Sequence, residues 1–453
     1  LIVGMPFWLT KLLIRTRLAP FTARARRLSD GGTSFLPYYS DRVLAAPVED
    51  LLDPALFPDS CGPNIIDLNL PAPRVEASVN LGRFATERGS MAPPQGLLEL
   101  RETIAARYQR LDNRSVNPKT DVQITHGATG AYTAALEALV NPRDRIVLFD
   151  PSSPMFALGA KSRRATIRWV ATWTEEGRTR FLTTEFEKAM RGAKLLVLGN
   201  PGNPAGGCLN DEDLDYIAWI AAAYDVLVYV DESLGRFQFA PRVKSPGLLA
   251  GAERRILTAG SITQEFGLGA LRIGWLTGPR HLIRACGLMA NLQAPFVPAV
   301  CQQAATRALT EPDGAFTATL NRLRAKRDYT RERLRCMGLE PDCPAGGLFA
   351  WVSVAGLGGD GRAFAERLFR EEQVQVGPGC AFGPGSSGHI RISFAAEDGR
   401  LREGLTRMAI CIERLKNPVV NLPTEEAMAS LVITRDEERS EPTSRPKPAF
   451  SRA

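Results

Sequence analysis

Over residues 96–302, short wholly apolar runs alternate with stretches whose apolar positions recur at helical spacing. The runs span Asp121 to Thr125, Arg145 to Phe149, Ala165 to Val170, Leu195 to Leu198, Val226 to Val230, Arg255 to Thr258 and Arg272 to Thr277. A strand that is apolar at successive positions, rather than at every second one, is covered on both faces. The pattern therefore predicts an α/β domain with a mostly parallel seven-stranded sheet and helices on both sides. One such helix, Asp211 to Tyr224, opens on Asn210 and three acids, Asp211, Glu212 and Asp213, which suit the positive end of a helix. After Gln302 the pattern changes: helical stretches to Ala308 and from Phe316 to Met337 lead into strand-like LFAWVSV, VQVG and HIRISF. This segment predicts a smaller α+β domain.

The ends read differently. Lys11 to Arg27 alternates basic and apolar residues without an acid, the composition of a membrane-surface helix or a transit peptide. Pro20 interrupts any helix there and no small-residue cleavage site stands out, so an arm lying on the body or on a partner subunit is the preferred reading. The chain begins at Leu1, with Met5 as a candidate start. From Asn417 the periodicity is lost in a charged, proline-bearing tail. The expected organisation is a basic arm at 1–60, partly disordered, a small domain from 61–95 and 303–416, a large domain at 96–302 and a disordered tail at 417–453.

Composition narrows the function classes. The formal charge of +7 comes from 56 Lys and Arg against 49 Asp and Glu, much of it in the first thirty residues, and no basic stripe interleaved with aromatics points to nucleic acid. Eight cysteines, scattered without paired spacing or clustering with the three histidines, suit reduced thiols in a cytoplasmic protein and no metal site. No apolar run reaches the roughly 18 residues of a spanning helix.

Chemistry enters with the segment VQITHGATG, a strand, a tight turn at Gly127 and a helix start near Thr129, where backbone N–H groups and a hydroxyl form an anion-binding arrangement. Further blocks follow in order over roughly 270 residues: NPGNPAGG, VLVYVDE, SITQEFGLGALRIGW, PAGGLFAW and GPGCAFGPGSSGHIRISF. Taken singly, each has an ordinary explanation. Asp231 at a strand end is a possible cap, Asn203 a turn residue, and a lone Arg391 a solvated charge. Together, in this order, the blocks resemble fold-type I pyridoxal phosphate (PLP) aminotransferases of class I and II. GLLELRETIAARY (Gly96 to Tyr108) is similar to that family's approach to the large domain.

The resemblance implies a role for each position. Asp231 would face the pyridine nitrogen and keep it protonated. Asn203 would donate to the phenolic oxygen. Ser261 and Arg272, with Gly127, Ala128 and Thr129, would hold the phosphate. Arg391 would grip a substrate carboxylate with its two-pronged guanidinium. The family also implies a homodimer and a small amino or keto acid as substrate.

The same alignment exposes a departure. The family block runs serine, any residue, serine or threonine, then the lysine that tethers PLP, with the phosphate-binding arginine eight residues later. Here Ser261 and Thr263 fit, Arg272 stands eight residues after Gln264, and Gln264 occupies the lysine position. A glutamine amide neither forms the tether nor shuttles a proton, and losing proton transfer costs about 10² to 10⁴ in rate. Leu234 and Ser153 stand where the family has a tyrosine and a ring-stacking aromatic, and Met91 falls near its cross-dimer tyrosine. Lys161 and Lys244 lie off the motif. Two readings follow. The first is an enzyme that holds PLP or pyridoxamine 5′-phosphate non-covalently and acts on a carboxylate-bearing substrate. The second is a non-catalytic partner subunit or ligand sensor on the same scaffold. An isolated error at Gln264 does not explain the other departures.

Overall fold

The computed structural model describes residues 64–70, 73, 91–240, 244–249, 251–310 and 314–417. The expected basic arm and tail lie outside them. Strands, in chain order, are β1 (Ile66–Asp67), β2 (Val122–His126), β3 (Arg145–Asp150), β4 (Thr166–Glu175), β5 (Arg178–Phe181), β6 (Leu195–Gly199), β7 (Leu227–Asp231), β8 (Ile256–Ser261), β9 (Ile273–Thr277), β10 (Phe349–Ser353), β11 (Val374–Gln375), β12 (Gly377–Pro378) and β13 (His389–Ser393).

All seven strands expected in the large sheet are present, in the order β2-β9-β8-β7-β6-β3-β4-β5. The pairs joining β8, β7, β6, β3 and β4 are parallel, while β9 runs antiparallel to both neighbours. The eighth strand, β5, was not expected. It forms an antiparallel edge with the end of β4 across a turn at Gly177 (φ +80°), and three of its four residues are polar, so no apolar run announces it.

The apolar runs have a direct cause in the layering. Val147, Leu196, Val228 and Ile256 face one side with Phe186, Leu214 and Ile217 of helices Thr183–Met190 and Asp211–Ala223. Their neighbours Ile146, Leu148, Leu195, Val197, Tyr229 and Leu257 face the other with Ala131, Phe156 and Ile283 of helices Gly127–Leu139, Pro154–Ser162 and Arg280–Gln293. Helix Asp211–Ala223 starts where its sequence indicates. Asn210 Oδ1 accepts from the Asp213 N–H (2.8 Å) and Asp213 Oδ2 from the Asn210 N–H (3.1 Å), a reciprocal capping box.

The smaller domain is built around a three-stranded antiparallel sheet, β10-β13-β12, and a short parallel pair, β1-β11. Helices Gly314–Cys336, Gly361–Glu372 and Asp398–Lys416 cover it, burying Leu334, Leu368, Leu405 and Met408 against Phe349, Ile390 and Ile392. Between the domains, the carboxyl ends of β2, β3, β6, β7 and β8 and the amino end of β9 meet at one edge. Crevices at the carboxyl ends of parallel strands are where α/β sheets bind ligands.

The closest backbone approach at this edge joins β9 to the start of helix Gly127–Leu139. A Cβ on Gly274 would lie 2.3 Å from the carbonyl carbon of Gly127 and 2.6 Å from the N of Ala128. Backbone cannot move aside as a side chain can. Gly274→Ala is therefore expected to destabilise the protein by about 1–3 kcal/mol, the usual cost of overpacking. An unchanged urea midpoint would show that the helix start is not pinned there.

Candidate active site

A cleft of about 180 Å³ opens where the strand ends converge. It brings together Ala128, Thr129, Asn203, Asp231, Ser261, Gln264 and Arg272, seven of the nine positions singled out in the sequence, together with Ser153 and Leu234. Gly127 and Arg391 adjoin it through Arg272 and Asn203. Met91 does not line it and is 74% exposed. Lys161 is exposed on helix Pro154–Ser162, and Lys244 is paired with Asp215 at 2.8 Å, so neither lysine serves the cleft.

At one end, β2 turns into its helix at Gly127 (φ +70°), held by the Thr125 hydroxyl donating to the Gly127 carbonyl at 2.9 Å. The first N–H groups of a helix have no partner within it, and Ala128 and Thr129 stand at this start. Arg272 lies against the turn: a Cβ on Gly127 would be 2.8 Å from Nη2 of Arg272. Glycine thus admits the guanidinium to the helix start. Buried Ser261, with its Oγ 3.4 Å from the accepted Thr263 N–H, completes this polar end.

At the other end, Asp231 closes β7 at the cleft wall. Its Oδ1 accepts from the Ser233 N–H at 2.8 Å, and burial pushes its carboxyl above the usual range despite that bond. Tyr132 has its hydroxyl committed to the Phe156 carbonyl (2.8 Å), and burial holds it far from ionising.

Arg391 on β13 is buried between Phe349 and Phe382, with its guanidinium carbon 4.2 and 4.7 Å from the two ring centroids. Nη1 donates to Asn203 Oδ1 (2.9 Å), and Nη2 donates to the carbonyl (2.9 Å) and Oδ1 (2.7 Å) of Asn69. Burial pulls its pKa down to about 9, and Nε has no partner among the described residues. A buried guanidinium left with a spare donor suits an incoming carboxylate. Its bond to Asn203 Oδ1 also turns that side chain, leaving the Asn203 amide free to donate.

Gln264 sits on a turn between β8 and β9. The next residue anchors that turn: Glu265 is buried and paired with Arg107 of helix Leu98–Asp112 and with Arg236 at 2.7 Å. Neither this brace nor Asn69 was anticipated. Asn69 is oriented by a turn in which Asp67 Oδ1 accepts from the N–H groups of Asn69 (2.7 Å) and Leu70 (3.0 Å). The Asp-x-Asn spacing is a local signal for such a turn, but Arg391, which it meets, lies 322 positions further along the chain. Glu265 carried no signal, since a single acid after the motif reads as a surface charge.

The family model described as "Aminotransferase class I and II" matches residues 76–408. The chain belongs to this family. Among its relatives, the arginine–pyruvate transaminase of Pseudomonas aeruginosa is 30% identical over 354 residues, 77% of this chain and 88% of that protein. The aspartate/prephenate aminotransferase of Thermus thermophilus is 28% identical over 338 residues, 73% of this chain and 85% of that protein. The crystal structure of an aromatic aminotransferase from Pyrococcus horikoshii superposes with a TM-score of 0.73 at 26% identity, covering 78% of this chain and 96% of that one. The fold is accordingly that of fold-type I aminotransferases, a family that generally uses PLP. No helix among the described residues is long and apolar enough to cross a membrane.

The raised pKa of Asp231 has a signed consequence. Its ionised form is penalised in the folded chain, so the penalty is present above the folded pKa and is relieved as pH falls through it towards the ordinary carboxylate range. Asp231→Asn keeps an oxygen for the Ser233 N–H and removes the penalty. The ligand-free variant should have a higher urea midpoint than wild type at pH 7.5, and the gap should shrink at acid pH. A gap that widened on acidification would contradict the assignment.

Proposed function

We propose that this aminotransferase-family protein binds PLP or pyridoxamine 5′-phosphate non-covalently in the cleft and acts on an amino or keto acid without a covalent tether to the cofactor. The observation that carries the reading is that opposite charges line one cleft. Asp231 is a carboxylate with raised pKa and, among the described residues, no cation beside it, and Arg272 lies against an open helix start with only glycine between them. A pyridinium at one end and a phosphate at the other would satisfy both groups.

The residues fit the group. Arg272, Ser261 and the N–H groups of Ala128 and Thr129 would hold the phosphate. Asp231 would hold the ring N–H, and the Asn203 amide the phenolic oxygen. Bound there, the cofactor would supply an electron sink for the carbon next to the substrate's carboxylate. Arg391 would orient that carboxylate between Phe349 and Phe382, and the surrounding apolar walls would exclude water from the ion pair. Gln264 would contribute an amide for hydrogen bonding, with no capacity to move a proton.

That last point supports the second reading, a partner subunit or ligand sensor. Among the described residues lining the cleft, the titratable groups are Asp231, Arg272 and Tyr132, and none is a base suited to the substrate carbon. Ser153 also leaves the ring without the usual aromatic face. The polar anchors favour the first reading, and a cytoplasmic homodimer is part of it by analogy with the family.

Mixing the purified protein with PLP and passing it through a desalting column tests the proposal. Retained cofactor with shifted absorbance is expected; absence of retention at saturating PLP would overturn it. Asp231→Asn should weaken retention about 30- to 5000-fold, since it removes one partner of a buried charge pair worth roughly 2–5 kcal/mol. Gln264→Lys should become covalently labelled by one phosphopyridoxyl group after borohydride reduction, read by mass spectrometry. An unlabelled but folded variant would show that position 264 does not face the cofactor.

A further inference from the structure

Beside the cleft lies a smaller void of about 50 Å³, which shares Asn203, Gly199 and Phe156 with it. Its walls include Ser152, Thr174, Trp173, Trp351 and Asp342. Two features of this void are unusual. The Ser152 hydroxyl is buried, at 6% exposure for the residue, and has no partner among the described residues. Asp342 is half-buried, its carboxyl is pushed up by burial against a hydrogen bond from Thr174, and no cation among the described residues offsets it.

The register of the small sheet connects this void to Arg391. Trp351 on β10 stands opposite Arg391 on β13. On the other side of β10, Pro341 bridges Val352 and the Asp342 N–H donates to the Trp351 carbonyl at 3.1 Å, which sets Asp342 opposite Trp351. Directly opposed residues of antiparallel strands project to the same face. Asp342, Trp351 and Arg391 therefore form one row, with the outer Cα atoms two strand spacings apart, about 10 Å. Positive charge stands at one end, negative charge at the other, and an indole lies between them.

We propose that this row selects a dibasic amino acid, with Arg391 taking the α-carboxylate and Asp342 the ammonium or guanidinium at the far end of the side chain. The methylenes would lie along Trp351, whose ring offers apolar area and an electron-rich face to the cation. Ser152 Oγ would accept from the distal N–H. A neutral side chain of the same length would leave the Asp342 carboxylate facing an apolar group. The inference rests on the cleft being the substrate site, and it names the class of substrate that site would prefer.

Calorimetric titration of the full chain with 6-aminohexanoate and with hexanoate tests it, with and without pyridoxamine 5′-phosphate. These probes share a carboxylate and chain length and differ in the distal ammonium. At least tenfold tighter binding of 6-aminohexanoate is expected, falling to twofold or less in Asp342→Asn while the hexanoate affinity of that variant stays unchanged. Equal affinities in the cofactor-loaded wild type, or a preference that survives in Asp342→Asn, would overturn the row and leave the cofactor reading standing. A preference dependent on Asp342 in a chain that retains no cofactor would instead uphold the row and overturn the cofactor reading.

Discussion

The site depends on one steric constraint, the contact between the backbone of β9 at Gly274 and the first residues of the helix after β2. There is no room for a Cβ at Gly274, and Gly127 on the opposite side has a left-handed conformation and no room for a Cβ beside Arg272. Two glycines, one on β9 and one at the start of the helix after β2, thus set how near a guanidinium comes to an open helix end. Because β9 runs antiparallel to its neighbours, its first residues reach the same edge as the last residues of β7 and β8. Arg272 and Asp231 therefore line one cleft.

The turn carrying Gln264 lies inside this frame, and its rigidity does not depend on a lysine. Glu265 is clamped between Arg107 and Arg236, and Arg236 in turn lies 3.9 Å from the ring centroid of Phe316. Glu265 is the member the brace cannot lose, because without it two buried guanidiniums are left without their carboxylate. The brace ties the turn to helix Leu98–Asp112 and to the segment after β7. The geometry around position 264 is therefore set by the neighbouring Glu265 brace and not by the side chain of Gln264 itself.

Much of this was legible in the sequence, for reasons specific to each part. The strands of the large sheet are covered on both faces, so their apolar runs are continuous and seven were located to within a few residues. The β4–β5 hairpin escaped because an exposed edge needs no apolar run. The cleft positions were readable only through the ordered blocks that resemble the family, and each block falls at a strand end: Asp231 ends β7, Ser261 ends β8 and Arg272 precedes β9. Asn69, Glu265 and Asp342 were not readable. Each acts through a partner far away in sequence, and a single polar residue in a loop carries no record of what it will meet.

The charges in the site are not equally expensive, and the difference bears on what has been retained. Arg391 is buried but well supplied, with Asn69, Asn203 and two aromatic rings around it, so its position is largely built into the small domain. Asp231 has a raised pKa and no cation beside it among the described residues, so its ionised form is penalised by burial. A group that costs stability and makes few internal bonds is readily lost to substitution once nothing requires it. Asp231 and Arg272 line the same cleft, and among the described residues no cation is paired with the one and no carboxylate with the other. Packing within the protein does not account for the two together, whereas one ligand carrying a cation and an anion would satisfy both.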